Sequence, residues 1–178
     1  MTFTASDRIS ALGLDIGKKR IGVAGCDGTG LIATGLTTIE RRSVQQDIEQ
    51  LRQLVQERQV QVLVVGLPYT LDGNLGFQAR QVQKYAKRLS KALQLPVDYV
   101  DERLTSVQAE QLLQAEHRAP SRHKDLIDRK AAAIILQQWL DDRRHRRTQS
   151  VETVTLEPAT VATLQTQKTT QNQRATDP

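Results

Sequence analysis

One short segment, residues 60–66, constrains the fold of this chain more than any other part of its sequence. Its residues, VQVLVVG, form a nearly unbroken run of valine and leucine. Such a run is typical of a strand that is buried on both faces of a sheet. Because a strand buried in this way needs helices packed above and below it, the sequence predicts an α/β protein.

The other elements follow in a definite order along the chain. Strands are predicted over residues 11–16, 20–26, 31–39, 60–66 and 97–100, and helices from Ser43, from Phe77, from Thr105 or Ser106, and after the connection 118–124. The order is βββαβαβαα. Three antiparallel strands followed by parallel strands with helical crossovers make a mixed five-stranded sheet with helices on both faces.

Three acidic residues lie in segments that are otherwise apolar. Asp15 is near the carboxyl end of the first strand, and Glu102 directly follows the fifth strand. Asp128 is in the last helix, where steps of three and four residues place it in line with Ala131 and Ile135. Each acid alone is also explained by a cap, a strand-end turn or a solvated charge. Together, in this element order, they predict a site for a divalent cation, because buried carboxylates are costly unless they are paired or bound to metal.

The rest of the composition narrows the choice of metal. Cys26 is the single cysteine, and the three histidines are His117, His123 and His145. A thiolate cluster is therefore excluded and little material remains for a histidine site. Oxygen ligands favour Mg²⁺ or Mn²⁺, and we expect one or two such ions.

The length and charge of the chain indicate the number of domains, the cellular compartment and the kind of binding partner. A chain of 178 residues, 38% of them hydrophobic, suits one globular domain with a sizeable core. No apolar stretch is long enough to span a membrane, and residues 1–7 lack the pattern of a signal peptide, so we expect a cytoplasmic protein. Since residues 148–178 contribute −1 to the net charge of +5, residues 1–147 carry +6. This basic balance permits nucleic-acid binding without proving it.

The C-terminal segment differs in composition from the rest of the chain. Residues 148–178 are rich in threonine and glutamine and show no apolar period, so we predict a disordered tail after a folded domain of residues 1–147. The junction 143–147, RRHRR, fits either a flexible phosphate-binding arm or the basic end of a helix, and the second interpretation is favoured.

Four sequence blocks together carry a family resemblance. They are GLDIGKKRIGVA at 13–24, LVVGLP at 63–68 with Asp72 and Gly73, DERLT at 101–105, and DRKAAAIIL at 128–136. In this order and spacing they are similar to the YqgF family, also called RuvX and described as Holliday junction resolvases. The resemblance covers about residues 10–142. One departure is Cys26, which stands where the family commonly has serine.

The resemblance implies an RNase H-like fold and metal-dependent hydrolysis of phosphodiester bonds. It also implies a role in maturing the 5′ end of the small-subunit ribosomal RNA precursor, and so in ribosome biogenesis. Asp15, Glu102 and Asp128 would be the catalytic and metal-binding residues, holding ions that activate water and stabilise charge on the attacking and leaving oxygens.

Several neighbouring side chains are candidates for supporting roles. Asp27 and Asp101 are candidate outer ligands, although a strand-end turn explains either at least as well. Arg103 would orient Glu102 or bind a phosphate, but an arginine beside two acids is more often their ion-pair partner.

Other side chains are candidates for binding the substrate. Arg122, Lys124 and Lys130 surround Asp128 in sequence and form a cationic patch that would steer an anionic substrate, with a solvated loop as an equal alternative. The loop 66–76 with Tyr69, and Arg80 just beyond it, would cradle phosphates or stack a base, or be an ordinary connection. Because aromatic residues make up only 3% of the chain, we expect recognition of backbone and shape, with structured RNA preferred.

Three other functions fit part of the pattern. A resolvase acting on branched DNA remains open, because phosphate contacts hardly distinguish RNA from DNA. A binding module without catalysis is a second alternative, against which the retention of all three acids speaks mildly. Residues 15–19, DIGKK, also resemble the first phosphate loop of actin and hexokinase-like ATPases, but this chain has no room for their second lobe. The sequence shows no dimer interface, so the oligomeric state is left open.

Overall fold

The computed structural model describes residues 8–70, 72–102 and 124–155. The strands are β1 (Ala11–Ile16), β2 (Arg20–Cys26), β3 (Ala33–Glu40), β4 (Val62–Leu67) and β5 (Val97–Asp101), and the helices are α1 (Val44–Arg58), α2 (Phe77–Leu93) and α3 (Lys124–Thr155). These elements confirm the predicted order wherever the chain is described. The helix predicted from Thr105 or Ser106 lies outside the described residues.

The five strands form one mixed sheet in the order β3-β2-β1-β4-β5. β1 is antiparallel to β2, and β2 is antiparallel to β3. β1 is parallel to β4, and β4 is parallel to β5. The predicted α/β class is therefore confirmed. Because parallel strands end at the same side of a sheet, the carboxyl ends of β1, β4 and β5 lie together, and we call this side the carboxyl edge.

Local hydrogen bonds explain where the elements begin and end. As predicted, Ser43 caps α1, and its hydroxyl accepts a hydrogen bond of 3.2 Å from the backbone N–H of Gln46. β3 begins later than predicted because the carboxylate of Asp27 accepts hydrogen bonds from the backbone N–H groups of Leu31 and Ile32 and holds them in a turn. β4 also begins later, since the N–H of Val60 still closes the end of α1.

Two apolar clusters cover the two faces of the sheet. Alternate residues of β4 face opposite sides, as the unbroken apolar run predicted: Leu63 and Val65 join the cluster of α1 and α2, whereas Val62 and Val64 join the cluster of α3. All residues of β4 are buried. The two faces are called here the α1/α2 face and the α3 face.

The helix α3 packs closely on its face of the sheet because glycines lie beneath it. A methyl group at Gly13 would come within 2.6 Å of the Leu136 Cβ and 2.7 Å of the Ala132 carbonyl oxygen. Hydrogen bonds tie the helix to both outer strands. The Thr38 hydroxyl donates to the Asp125 carbonyl oxygen at 2.8 Å, and the Trp139 Nε1 donates to Asp98 Oδ2 at 2.9 Å. These contacts fix the position of the first turns of α3 over the sheet.

The chain separates into two compact units, Met1–Asp141 and Asp142–Pro178. Because α3 continues to Thr155, the basic residues 143–147 lie inside a helix and not at its end. The domain boundary at 147 and the disorder of the tail stay predictions, and residues 156–178 lie outside the described residues. No helix within the described ranges is long and apolar enough to cross a membrane.

Candidate metal-dependent nuclease site

Asp15 lies at the carboxyl edge with a glycine on each side of it. Since Leu12, Leu14 and Ile16 point to the α1/α2 face, alternation directs Asp15 to the α3 face. In β2 its register partner is Gly22. In β4 the register pairs Leu14 with Val65, so Gly66 follows beside Asp15. Because the two glycines have no side chains, groups from the end of β5 and from α3 can approach the sheet on both sides of Asp15.

The carboxylate of Glu102 occupies the space above Gly66. A methyl group at Gly66 would collide with Glu102 Oε1 and lie 3.0 Å from Glu102 Cδ. It would also come within 2.6 Å of Ile135 Cδ1, which belongs to α3. Glu102 therefore turns from the end of β5 across β4, on the same face of the sheet as Asp15.

The environment of Glu102 makes its negative charge unfavourable. Burial, together with the neighbouring charges of Asp15 and Asp101, raises the pKa of this carboxyl to about 7. An acid that is half-buried among other acids gains stability from any cation placed between them. The electrostatics of this corner of the sheet thus favour a bound cation.

Asp128 reaches the same region from the first turns of α3. Its backbone carbonyl lies directly over Gly22, where a methyl group would collide with it. Its side chain is held by Arg20, the first residue of β2, whose Nε donates a hydrogen bond of 2.5 Å to Asp128 Oδ2. The structure therefore brings Asp15, Glu102 and Asp128 to neighbouring positions around the end of β1.

The three acids are not close enough together to bind one metal ion jointly. Among the described residues, no group of three or more acidic, histidine or cysteine side chains is close enough to hold one ion. The carboxylate of Asp128 is instead paired with Arg20, which engages one of its oxygens. The donor set fits Mg²⁺ or Mn²⁺, since carboxylate oxygens are their usual protein ligands and a cation would offset the charges of Asp15 and Asp101 that act on Glu102.

The predicted substrate-binding residues fall into three groups. Lys124 and Lys130 are exposed on α3 near Asp128. Arg80 is exposed on α2, and Tyr69 is half-buried against the core of the α1/α2 face, so neither shares a face with the acids. Arg103 and Arg122 lie outside the described residues.

Two features of the site were missed by sequence reasoning. One is the ion pair between Arg20 and Asp128, and the other is the use of Gly22 and Gly66 as space for the acids. Arg20 and Gly22 belong to the sequence block at 13–24, so the family resemblance included them, but the sequence alone does not show which residues they contact.

Of the two candidate outer acids, Asp27 closes the turn after β2 at the opposite side of the sheet. Asp101 lies beside Glu102 and raises its pKa.

The sequence is similar to one protein family and to named bacterial proteins. Residues 9–142 match the RuvX family, described as Holliday junction resolvase. A protein of Trichormus variabilis is 72% identical over 143 residues, which cover 80% of this chain and 95% of that protein. A protein of Rippkaea orientalis is 72% identical over 138 residues, which cover 78% of this chain and 99% of that protein. Both relatives bear the name "Putative pre-16S rRNA nuclease".

Among solved structures the chain is similar to RuvC of T. thermophilus in complex with Holliday junction substrate. The two chains are 16% identical with a TM-score of 0.49, and the similarity covers 76% of this chain and 96% of RuvC.

Proposed function

The chain belongs to the RuvX family of Holliday junction resolvases, and from that premise we propose that it is a metal-dependent nuclease. The four sequence blocks indicated the same family, and the match spans nearly the full length of its relatives. The observation that carries the proposal is the Glu102 carboxylate, which lies over Gly66 beside Asp15 with a raised pKa. This carboxyl lies near the charges of Asp15 and Asp101, so a cation bound here would stabilise its ionised form.

Asp15, Glu102 and Asp128 would hold the Mg²⁺ or Mn²⁺. The bound ion would supply an activated water and stabilise charge on the attacking and leaving oxygens of a phosphodiester. Because the pKa of Glu102 is about 7 without the ion, binding of the ion near neutral pH would displace a proton from this carboxyl. Arg20, at the rim of the acids, provides positive charge for Asp128 when no ion is bound.

The substrate we propose is the 5′ region of the small-subunit ribosomal RNA precursor. The names of the relatives support this substrate, and so does the basic charge of residues 1–147. It implies a cytoplasmic protein with a role in ribosome biogenesis. The family description supports a second candidate, a four-way DNA junction, because both substrates present closely spaced phosphates to an acidic site.

Cleavage of matched substrates tests the proposal. The purified full chain is incubated with precursor RNA, single-stranded DNA and a four-way DNA junction, each with Mn²⁺ and with a chelator. We expect metal-dependent cleavage of the RNA by the wild type and none by Asp15→Asn. Preferred cleavage of the junction would favour the second candidate.

A matched acid-to-amide control separates the site from general charge effects. Asp125 is exposed on α3, three residues before Asp128, so Asp125→Asn removes the same charge outside the proposed site. It should retain cleavage. The nuclease proposal would be wrong if Asp15→Asn cleaved the substrates as fast as Asp125→Asn.

A further inference from the structure

A basic cavity lies close to the site but opens on the other face of the sheet. It has a volume of about 580 Å³, and we call it the α2 pocket. Its wall begins at Ile16 and Gly17, and Gly17 is two residues beyond Asp15. That is about 7 Å along an extended chain. The rest of the wall comes from Lys18, from Arg41 and Val44 around the start of α1, and from α2 between Phe77 and Arg88.

The charge of the α2 pocket has one sign. Lys18, Arg41, Lys84 and Arg88 line it, and no acidic side chain is among its described lining residues. Two other cavities in the described ranges are, by contrast, lined by acids as well as bases. A cavity with several cations and no acid is suited to an anionic ligand.

The sequence of α2 extends this positive charge along the helix. Its basic residues are Arg80, Lys84, Lys87, Arg88 and Lys91, and its sequence contains no aspartate or glutamate. The N-cap residue, Gly76, makes no side-chain capping bond, so the positive end of the helix dipole is not neutralised locally. Phe77 and Gln78 carry this end of α2 to the pocket wall. Phosphate groups are favoured at such a helix end.

Arg41 forms a fixed wall of the α2 pocket. Its Nη1 donates a hydrogen bond of 2.6 Å to the Gly17 carbonyl oxygen, and its guanidinium lies 4.2 Å from the centre of the Tyr85 ring. The buried Asp47 is 3.8 Å from Arg41 Nε and accepts a 2.5 Å hydrogen bond from the Tyr85 hydroxyl. Because these contacts engage Arg41, we assign the contacts with a ligand to the other three lining cations, Lys18, Lys84 and Arg88.

An exposed aromatic ring stands at the rim of the α2 pocket. Phe77 is 74% exposed, more than any other large hydrophobic residue in the described part of the chain. An exposed phenylalanine beside a cluster of cations provides a stacking surface for a base next to charges for its phosphates. This combination indicates a nucleic-acid strand and not a free anion.

We propose that the α2 pocket binds the phosphate backbone of the substrate strand where it leaves the acidic site. The strand would cross the turn after β1, place phosphates against Lys18, Lys84 and Arg88, and stack one base on Phe77. This inference rests on the proposed function, because it assigns a second contact region to the same substrate. In this arrangement the α1/α2 face and the α3 face, next to the carboxyl edge of the sheet, both contribute to one binding surface for the substrate.

Two double variants on the same helix test the proposal. Lys84→Gln with Arg88→Gln removes two cations from the pocket. Lys87→Gln with Lys91→Gln removes two exposed cations of α2 that do not line it. Binding of labelled single-stranded RNA is measured in chelator over a range of salt concentrations, so that cleavage does not interfere. The pocket variant should bind about tenfold more weakly, with a salt slope smaller by about 1.4, since each phosphate contact in a single strand contributes about 0.7.

The control variant should keep the affinity and salt slope of the wild type. Equal losses in both variants, or a loss in the control alone, would overturn the proposal. Circular dichroism of each variant checks that α2 is retained.

Phe77→Leu tests the role of the aromatic ring, because it preserves an apolar side chain but not the ring. It should also weaken RNA binding, without changing the salt slope.

A separate readout distinguishes this inference from the proposed function. Cleavage by the wild type with Mn²⁺ tests the function alone. If the wild type cleaves RNA and the pocket variant binds RNA normally, the α2 pocket is not part of the substrate surface. If the pocket variant binds RNA weakly while the wild type shows no cleavage, the surface is supported and the nuclease function is not.

Discussion

The Arg20 guanidinium holds the carboxylate of Asp128 through a 2.5 Å hydrogen bond that joins the first residue of β2 to α3. Both side chains are half-buried, with 29% and 21% of their surfaces exposed. The pair compensates the charge of Asp128, one of the three acids proposed to hold the metal ion. A metal ion bound by Asp128 would therefore compete with Arg20 for the same carboxylate.

Replacement of Arg20 should lower the stability of the metal-free protein and increase the effect of metal. In Arg20→Gln, Asp128 loses its partner near other acids, at a cost of about 1–3 kcal/mol in unfolding free energy. Added Mn²⁺ should then raise the melting temperature more than it does in the wild type, because Asp128 is free to bind it. Thermal denaturation with and without Mn²⁺ measures both effects.

An exposed ion pair provides the control for this experiment. Arg42 lies 3.8 Å from Glu40, and both side chains are more than 70% exposed. Arg42→Gln should leave the melting temperature and the response to Mn²⁺ close to those of the wild type. If Arg20→Gln behaved in the same way, Arg20 would have no influence on the acids.

Gly66 should be required for the position of Glu102. In Gly66→Ala, the new methyl group collides with the ends of the Glu102 and Ile135 side chains. Since these ends can shift, we expect a loss of only about 1 kcal/mol in stability. Cleavage should be lost as well, because Glu102 is displaced from Asp15. Gly28→Ala is the matched control, since a methyl group at Gly28 meets nothing within 4 Å. Full activity in Gly66→Ala would show that the site tolerates another position of Glu102.

The sequence predicted those parts of the fold that depend on local patterns. β1 and β2 have the predicted bounds because turn residues separate two apolar segments. The start of β3 was wrong by two residues because a side chain, that of Asp27, ties down the preceding backbone. Hydrogen bonds from a side chain to the backbone compete with a strand and are hard to read from composition.

The site was predicted as a set of residues but not as an arrangement. Asp15, Glu102 and Asp128 were chosen because they are acids in apolar segments, which is a local property. The contact of Glu102 with the space above Gly66 joins β5 to β4, and the bond between Arg20 and Asp128 joins residues 108 positions apart. Such contacts follow from sheet order and helix packing, which a single sequence does not specify.

Removal of the Asp15 charge should separate stability from activity. In the metal-free protein Asp15 raises the pKa of Glu102, which shows that the two charges repel each other. Asp15→Asn should therefore leave the melting temperature unchanged or raise it, while cleavage is lost. Mn²⁺ should stabilise the variant less than the wild type. A large drop in melting temperature would instead identify Asp15 as a structural residue.

The raised pKa of Glu102 predicts how the stability of the metal-free protein depends on pH. The folded-state pKa is about 7 against an ordinary value of 4.5, so the folded protein retains a proton that the unfolded chain has lost between these values. Stability should therefore fall as the pH rises from about 4.5 through 7 and change little above that. Glu102→Gln should remove this fall and be more stable than the wild type at pH 8 by up to about 3 kcal/mol.

Chemical denaturation in chelator at pH 5 and pH 8 measures the difference. Glu57→Gln, an exposed substitution on α1, is the control and should have the pH dependence of the wild type. The advantage of Glu102→Gln should shrink when Mn²⁺ is added at pH 8, because the ion stabilises the ionised glutamate and has less affinity for the amide. An advantage that is equal at both pH values would mean that Glu102 is not the group whose raised pKa lowers stability, and an advantage that Mn²⁺ does not reduce would mean that Glu102 does not bind the ion.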